Sequence, residues 1–245
     1  METVIVGAGA IGRWFAETVD IRPTFVDVDE ATASEAATAV GGETVEPGTE
    51  QSFELVVIAV PMSAVASTIE SYAPNATEAI IDLSGVMADP VAAMAEAAPE
   101  QERASLHPLF APANAPGRIA VVADNAGPIV ETVSEELEAA GNTLFETTPA
   151  VHDQAMETIQ ARAHAAILAF ALAAEEVPDP FGTPIYDTLR ELVTDVTGGT
   201  PRVYADIQST FSGAEDVAAA AERIAQADQE TFEQLYREAG RGGNE

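Results

Sequence analysis

The chain has 245 residues, of which 47% are hydrophobic, and its 41 acidic and 10 basic side chains give a formal charge of −31. The absence of cysteine excludes disulfides and thiolate metal sites, and the shortage of cationic side chains argues against nucleic acid as a partner. No apolar run is long enough to span a membrane and the start lacks a secretory signal, so we expect a cytoplasmic protein without membrane contact.

Up to about residue 148 the chain alternates short apolar runs with Ala- and Glu-rich stretches, which is typical of a parallel sheet covered by helices on both faces. The predicted strands are residues 3–6, 24–27, 55–60, 79–83, 105–106, 119–123 and 143–146, and residues 128–139 are a predicted helix. Beyond residue 148 only helices are predicted, over residues 149–174, 184–196, 201–212 and 214–239. We therefore expect an α/β domain over residues 1–148 and an all-α domain over residues 149–245.

A glycine-rich motif directly follows the first predicted strand and precedes helical sequence. It consists of Gly7, Ala8, Gly9, Ala10, Ile11 and Gly12. In this context the first glycine permits a tight turn, the second lets backbone amides approach a pyrophosphate, and the third allows close helix packing. Ala10 and Ile11 lie where the helix N-terminus faces the phosphates. The motif predicts a Rossmann-type dinucleotide-binding domain.

The residue that would bind the adenosine ribose is Asp27, at the end of the second predicted strand. It is followed by Val28, Asp29 and Glu30, and these acids would repel the 2′-phosphate of NADP. We therefore predict NAD as the cofactor. Asp29 is an alternative ribose ligand.

Further along the chain, several segments carry specific motifs. Residues 55–61 end in Val60-Pro61, and residues 80–87 contain Asp82 and Ser84. Residues 106–112 contain His107-Pro108. Later in the chain, His152-Asp153 precedes Met156, Gln160 and His164, and residues 200–207 contain Arg202 and Tyr204. Together and in this order they resemble the prephenate dehydrogenase family. The resemblance spans most of the chain, and the segment around His107 is its most specific part.

The resemblance implies NAD-dependent oxidative decarboxylation of prephenate to 4-hydroxyphenylpyruvate in tyrosine synthesis. It also implies a homodimer formed through the C-terminal helices. His107 takes the position of the family's catalytic histidine. The resemblance further assigns Val60, Pro61 and Ser84 to the cofactor, and Ser84, Gln160, His164 and Arg202 to the substrate.

Two departures from the family pattern concern the active site. Gly85 stands where a serine is usual, so either Ser84 supplies the hydroxyl that assists the catalytic histidine or that assistance is missing. Asp195 stands where the family has a substrate-binding arginine, which leaves Arg162, Arg190 and Arg202 as unranked candidates for the substrate carboxylates. Two alternatives therefore stay open: a related dehydrogenase or reductase acting on arogenate or another small acid, and an inactive NAD-binding regulatory homologue.

The chain has three histidines, and we predict that one of them is the catalytic base. Imidazole has an unperturbed pKa near 6.5 and is suited to taking a proton from an alcohol, so we predict this role for His107. His152 is expected to be a structural boundary residue, whereas His164 fits a structural and a substrate-contacting role equally. The histidines are too dispersed to predict a metal site.

The acidic surface would repel itself unless concentrated salt shortens the Debye length to roughly 3 Å. We interpret the charge as an adaptation to a salt-filled cytoplasm, typical of an extreme halophile.

Overall fold

A computed structural model describes residues 1–241, without the side chain of Asp179. The chain divides into two compact units, Met1–Ala155 and Met156–Glu245. The last four residues of the expected all-α domain, 242–245, lie outside the described range. No helix in the described part of the chain is long and apolar enough to cross a membrane.

The first unit is built on one eight-stranded sheet with the order β3-β2-β1-β4-β5-β6-β7-β8. Its strands are β1 (Glu2–Val6), β2 (Arg22–Val26), β3 (Glu43–Thr44), β4 (Phe53–Ile58), β5 (Ala76–Asp82), β6 (Glu102–Pro108), β7 (Arg118–Asn125) and β8 (Thr143–Glu146). Every predicted strand is present, and the two-residue β3 is an addition that its sequence does not signal. The expected α/β fold is confirmed.

One strand departs from the expected parallel arrangement, because β7 runs antiparallel to β6. The segment of residues 109–117 between them is shorter than the dozen or more residues that a parallel crossover needs. The amide of Leu109 donates to the carbonyl of Arg118 at 2.9 Å and closes this connection. The sheet is therefore mostly parallel, with one antiparallel pair.

Helices cover both faces of the sheet in the first unit. They are α1 (Ala10–Thr18), α2 (Glu30–Val40), α3 (Val65–Tyr72), α4 (Ala88–Ala97), α5 (Pro128–Ala139) and α6 (Pro149–Met156). Neighbouring residues on a strand belong to separate cores, as Ile5 does with Phe15 and Val4 with Ile69. Burial of both faces explains why the strands read as continuous apolar runs rather than as alternating patterns.

In the described part of the second unit, residues 156–241, all regular structure is helical. It contains a π-helical turn (Glu157–Arg162), α7 (Ala163–Ala173), α8 (Pro184–Thr197), α9 (Pro201–Thr210), α10 (Gly213–Gln226) and α11 (Gln229–Arg241). The prediction of one helix over residues 214–239 is wrong, because Ala227 is extended and Asp228 starts a new helix by accepting a hydrogen bond from the amide of Thr231 at 2.9 Å.

Candidate active site

The glycine-rich loop joins β1 to α1 beside the end of β4, where the strand order reverses direction. Gly7 has a φ of +104°, and a Cβ atom there would lie 2.3 Å from the carbonyl oxygen of Ala59. A Cβ atom at Gly12 would lie 2.2 Å from the carbonyl oxygen of Gly7. By contrast, no atom of the described residues lies within 4 Å of a Cβ atom at Gly9. The first and third glycines are required by the fold, and the second leaves open space in front of the helix N-terminus.

Asp27 lies directly behind this loop. One carboxylate oxygen accepts a hydrogen bond from the amide of Ala8 at 2.9 Å, and the other accepts one from the amide of Asp29 at 3.0 Å. Each oxygen keeps a further lone pair, so the carboxylate is oriented and still able to accept hydroxyl groups. Asp29 has a different role: its own carboxylate accepts from the amide of Ala31 and the hydroxyl of Thr32 and thereby caps α2.

A cavity of about 440 Å³ lies beside Asp27. Its lining includes Glu30, Thr44, Glu46 and Gln51 together with backbone of the segment after β3. The charged groups among its lining residues are all carboxylates. The cavity can accept a neutral, polar group next to Asp27, but a phosphate there would meet like charge.

The predicted nicotinamide side follows β4. The amide of Ala59 donates to the carbonyl of Val6 at 2.8 Å, which places the segment Ala59-Val60-Pro61 against the start of the glycine loop. Val60 and Pro61 are half-buried. The two ends of the predicted cofactor site thus share one sheet edge.

His107, in β6, is buried and bonded to a second histidine. Its Nδ1 atom lies 2.8 Å from Nε2 of His152, and Nδ1 of His152 lies 2.7 Å from a carboxylate oxygen of Asp153. The two oxygens of Asp153 accept hydrogen bonds from the amides of Met87 and Ala88, each at 3.0 Å. These contacts form one chain from the start of α4 through α6 to the strand that carries His107.

The environment of His107 disfavours its charged form. Burial, and the repulsion that a protonated His152 would exert, lower the pKa of His107 to about 3, and the carboxylate of Asp153 acts in the opposite direction. A histidine in this position is neutral at physiological pH and has a lone pair available on one ring nitrogen.

The loop after β5 lies next to the ring of His107. A Cβ atom at Gly85 would lie 3.5 Å from Nε2 of His107 and 3.2 Å from the sulfur of Met62. The hydroxyl of Ser84 instead lies 3.0 Å from a carboxylate oxygen of Asp82 and 2.9 Å from the carbonyl of Val86. Ser84 therefore does not replace the hydroxyl that Gly85 lacks.

Asp82 is a fully buried acid below this loop. Besides Ser84, the hydroxyl of Ser105 donates to it at 2.9 Å. Burial raises its pKa to about 7, although the hydrogen bonds from Ser105 and Ser84 oppose that shift. Ser84 has a single hydroxyl proton for two acceptors, Asp82 and Val86, so a proton on Asp82 would satisfy both contacts.

The predicted substrate residues of the second unit lie around its π-helical turn. The rings of His164 and Tyr204 meet edge to face with centroids 4.8 Å apart, and the buried Nδ1 of His164 has no hydrogen-bond partner among residues 1–241. Gln160 is half-buried on the π-helical turn itself. Such turns are frequent at functional sites, because the extra residue changes which side chains share a helix face.

The three candidate arginines differ in their contacts within the second unit. Arg162 pairs with Asp216 at 2.6 Å, and Arg190 lies over the ring of Tyr186 at 6.0 Å from its centroid. Arg202 is exposed at the start of α9, and no ion pair of this residue occurs within residues 1–241. Arg190 likewise forms no ion pair within residues 1–241, so Arg202 differs from it in lacking the aromatic contact.

Comparisons with known proteins bear on this arrangement. A 4-amino-4-deoxyprephenate dehydrogenase from Streptomyces pristinaespiralis is 32% identical, in an alignment that covers 96% of this chain and 88% of the relative. The chain belongs to the prephenate dehydrogenase family.

Two other similarities concern a more distant relative and a shared fold. A probable arogenate/prephenate dehydrogenase from Methanocaldococcus jannaschii is 23% identical over 84% of this chain but only 51% of the relative. The crystal structure of prephenate dehydrogenase from A. aeolicus in complex with hydroxyphenyl propionate and NAD+ has a TM-score of 0.69 at 16% identity, covering 100% of this chain and 99% of that one. No family model matches the chain.

As a prephenate dehydrogenase family member, the protein is an oxidoreductase, and the predicted family resemblance is confirmed. The sequence interpretation missed the partner of its central histidine. It took His152 as a boundary residue, whereas His152 is buried against His107. The adjacent Asp153 was a usable signal, since a buried histidine next to an acid is oriented by it.

Proposed function

We propose that this family member is an NAD-dependent dehydrogenase that oxidatively decarboxylates prephenate to 4-hydroxyphenylpyruvate in tyrosine synthesis, with His107 as the base. The observation that carries the proposal is the position of His107. The histidine is buried and neutral at the carboxyl end of β6, on the same sheet edge as the glycine loop.

The residues at the glycine loop fit a dinucleotide. The open space at Gly9 and the amides of Ala10 and Ile11 suit a pyrophosphate, and Asp27 suits the adenosine ribose. Asp27, Glu30 and Glu46 around the neighbouring cavity disfavour a 2′-phosphate, which supports NAD over NADP. Val60 and Pro61 would contact the nicotinamide end. When bound, NAD supplies the acceptor for the hydride that leaves the substrate carbon.

His107 supplies the base. As the hydride leaves, the hydroxyl on the same carbon must lose its proton, and the unprotonated ring nitrogen of His107 would accept it. Loss of carbon dioxide makes the ring aromatic, so the protein needs mainly to orient substrate and cofactor and to hold the base neutral. The burial that lowers the pKa of His107 does the latter.

The second unit would hold the substrate. We assign Gln160, His164 and Arg202 to substrate contacts, with Arg202 for a carboxylate. Ser84 acts indirectly in this proposal, since its hydroxyl is bonded to Asp82 and Val86 and holds the loop that carries Gly85.

The experiment is NADH formation from prephenate and NAD by the purified protein in concentrated potassium chloride, beside NADP, arogenate and the variant H107N. Prephenate turnover with NAD that falls about 100- to 10,000-fold in H107N, at unchanged NADH binding, is the expected result. NADH binding without turnover of any of these acids would contradict the proposed reaction and favour the inactive regulatory homologue.

A second substrate is favoured by a specific observation. The relative at 32% identity is named for 4-amino-4-deoxyprephenate, in which an amino group replaces the reacting hydroxyl, and Gly85 widens the space beside His107 at that point. The same assay with 4-amino-4-deoxyprephenate decides between them. A kcat/KM for the amino compound more than tenfold above that for prephenate would make it the physiological substrate.

We further propose that residues 1–148 form the NAD-binding domain and residues 149–245 a helical substrate and dimerisation domain, and that the chain is a homodimer. Helix α7 consists almost entirely of apolar residues, yet none of them is buried within the single chain. Leu172, Phe181 and Ile185 are 88%, 72% and 77% exposed. A second copy of the same unit would remove this apolar surface from water.

The charge of −31 supports a last part of the proposal, that the protein works in a salt-filled cytoplasm of halophilic type. Screening by concentrated salt would reduce the repulsion between its carboxylates.

A further inference from the structure

Asp153, His152 and His107 are joined by hydrogen bonds, and the donor and acceptor of each bond follow from the protonation state of Asp153. The amides of Met87 and Ala88, which begin α4, donate to the two oxygens of Asp153 at 3.0 Å each. Burial opposes ionisation, but the hydrogen bonds from His152 and from these amides hold the pKa of Asp153 below its usual range. Asp153 is therefore an ionised carboxylate that can only accept hydrogen bonds.

When both rings are neutral, the ionised Asp153 determines the tautomer of both histidines. Because the carboxylate only accepts, Nδ1 of His152 must carry a proton. In neutral His152 the other nitrogen, Nε2, is then an acceptor, so Nδ1 of His107 carries the proton that joins the two rings. The lone pair of His107 is left on Nε2, the nitrogen on the side of Gly85.

We propose that His152 and Asp153 are positioning residues that fix this tautomer of His107 and take over its Nδ1 proton when Nε2 accepts the proton of the substrate. The inference rests on the proposed role of His107 as the base. His152 and Asp153 would thus give His107 the assistance that a hydroxyl group at position 85 gives in the family pattern.

The proton transfers balance without a further reactant. The O–H bond of the substrate breaks and its proton bonds to Nε2 of His107, while the Nδ1–H bond of His107 breaks and that proton bonds to Nε2 of His152. His107 ends neutral, and the positive charge resides on His152, next to the carboxylate of Asp153. The hydride leaves with its electron pair to the NAD of the proposed function.

The relay compensates for the low basicity of His107. Burial lowers the pKa of His107 to about 3, so the ring alone is a weak base. Moving the charge to His152 places it beside a carboxylate, where it is stabilised. The titratable groups that act on His107 in the described structure are His152 on α6 and Asp153, whereas Asp82 on the neighbouring strand β5 is bonded to Ser84 and Ser105.

The test uses three variants of the full chain. H152Q keeps a side-chain oxygen that can accept from Nδ1 of His107 but cannot take up a proton, H152A removes both functions, and D153N removes the charge. D89N is the matched control, because Asp89 is an exposed acid in the first turn of the same helix α4 and has no contact with the relay. For each we would measure kcat and KM against pH and the affinity for NADH.

We expect kcat to fall by about 10-fold in H152Q and D153N and about 100-fold in H152A, with the affinity for NADH unchanged. In the wild type, the acid limb of the pH profile reports protonation of His107, which the carboxylate of Asp153 favours. In D153N this limb moves to lower pH, because the carboxylate that raises the pKa of His107 is gone. D89N keeps both kcat and the limb.

A second readout does not require turnover. The chain has three histidines, so the ¹⁵N spectrum of the imidazoles is simple, and the variant H164N identifies the third. The relay requires a protonated Nδ1 and an unprotonated Nε2 on His107 at neutral pH. A protonated Nε2, or a D153N variant whose acid limb stays in place while kcat falls, would overturn the proposal. If the wild type turns over no substrate but shows this tautomer, the proposed function fails and the hydrogen-bond relay stands.

Discussion

A Cβ atom placed on Gly85 would lie 3.5 Å from Nε2 of His107, so residue 85 directly faces the nitrogen that we assign as the base. The sulfur of Met62, at 3.2 Å, is the tighter neighbour, and it belongs to a flexible side chain that can shift by a few tenths of an ångström. A small side chain therefore fits here, and its polarity is open to test.

We predict that G85S has a higher kcat/KM for prephenate than G85A by roughly 2- to 10-fold, which is the range of one added hydrogen bond. The two variants add the same Cβ atom, so their difference isolates the hydroxyl group. Initial rates at saturating NAD measure it. Equal values would mean that a hydroxyl at this position does not reach the reacting atoms.

Removing the charge of Asp27 should weaken NAD binding. We predict that D27N raises KM for NAD by about 10- to 100-fold, because two charge-assisted hydrogen bonds to the ribose become weaker. The variant should also narrow the preference for NAD over NADP, since one of the acids beside the ribose is gone. D20N is the control, as Asp20 is an exposed acid after α1. If D27N and D20N have the same KM, the ribose does not bind at Asp27.

Asp82 should make the stability of the first unit depend on pH. Its pKa is raised from 3.8 to about 7, so above pH 4 the unfolded chain ionises while the folded chain keeps the proton until about pH 7. Unfolding releases a proton in this window, and the free energy of unfolding therefore falls as pH rises from about 4 to about 7.

We predict that D82N removes this dependence, so that the change in unfolding free energy between pH 5 and pH 7 is smaller than in the wild type by about 2 to 3 kcal/mol. Denaturant titrations followed by the fluorescence of Trp14, which is buried in α1, report on this unit. Parallel pH dependences of wild type and D82N would show that Asp82 is ionised in the folded state.

The exposed apolar surface of the second unit should hold the dimer together. We predict that L172E or I185E converts the homodimer to a monomer, because a charge on this surface would be buried at the interface. Light scattering during size-exclusion chromatography measures the mass. V28E is the control, as Val28 is 99% exposed in the first unit. A wild type that elutes as a monomer, or an unchanged mass in both variants, would refute this interface.

Salt should stabilise the protein. We predict that the unfolding midpoint rises steadily with potassium chloride from dilute to molar concentrations, because screening reduces repulsion among 41 acidic residues. Potassium sulfate at equal ionic strength separates screening from a specific chloride effect. A midpoint that is independent of salt would remove the support for a halophilic origin.

Features of the fold and of the candidate site that depend on residues close together in the sequence could be predicted. The glycine loop and Asp27 follow from one strand–turn–helix segment, and His107 followed from a short motif at a strand end. The antiparallel β7 was missed, since its direction depends on the length of the loop after β6. The break at Ala227 was missed, although Asp228 is a common capping residue.

The partner of His107 could not be predicted, because 45 residues separate His107 from His152 and only the packing of α6 brings their rings together. The hydrogen bonds of Ser84 could not be predicted either. Ser84 belongs to the loop beside His107, but its hydroxyl is directed to the buried Asp82, which comes from the preceding strand.

The approach of Gly7 to Ala59 has a consequence for how the dinucleotide is recognised. The glycine loop, which we propose binds the pyrophosphate, and the segment after β4, which we propose contacts the nicotinamide, approach each other through their backbones at Gly7 and Ala59. A shift at one end must therefore displace the other. Backbone contact therefore sets the distance between the two segments. Substitutions of the surrounding side chains can change the affinity for the cofactor without changing this distance.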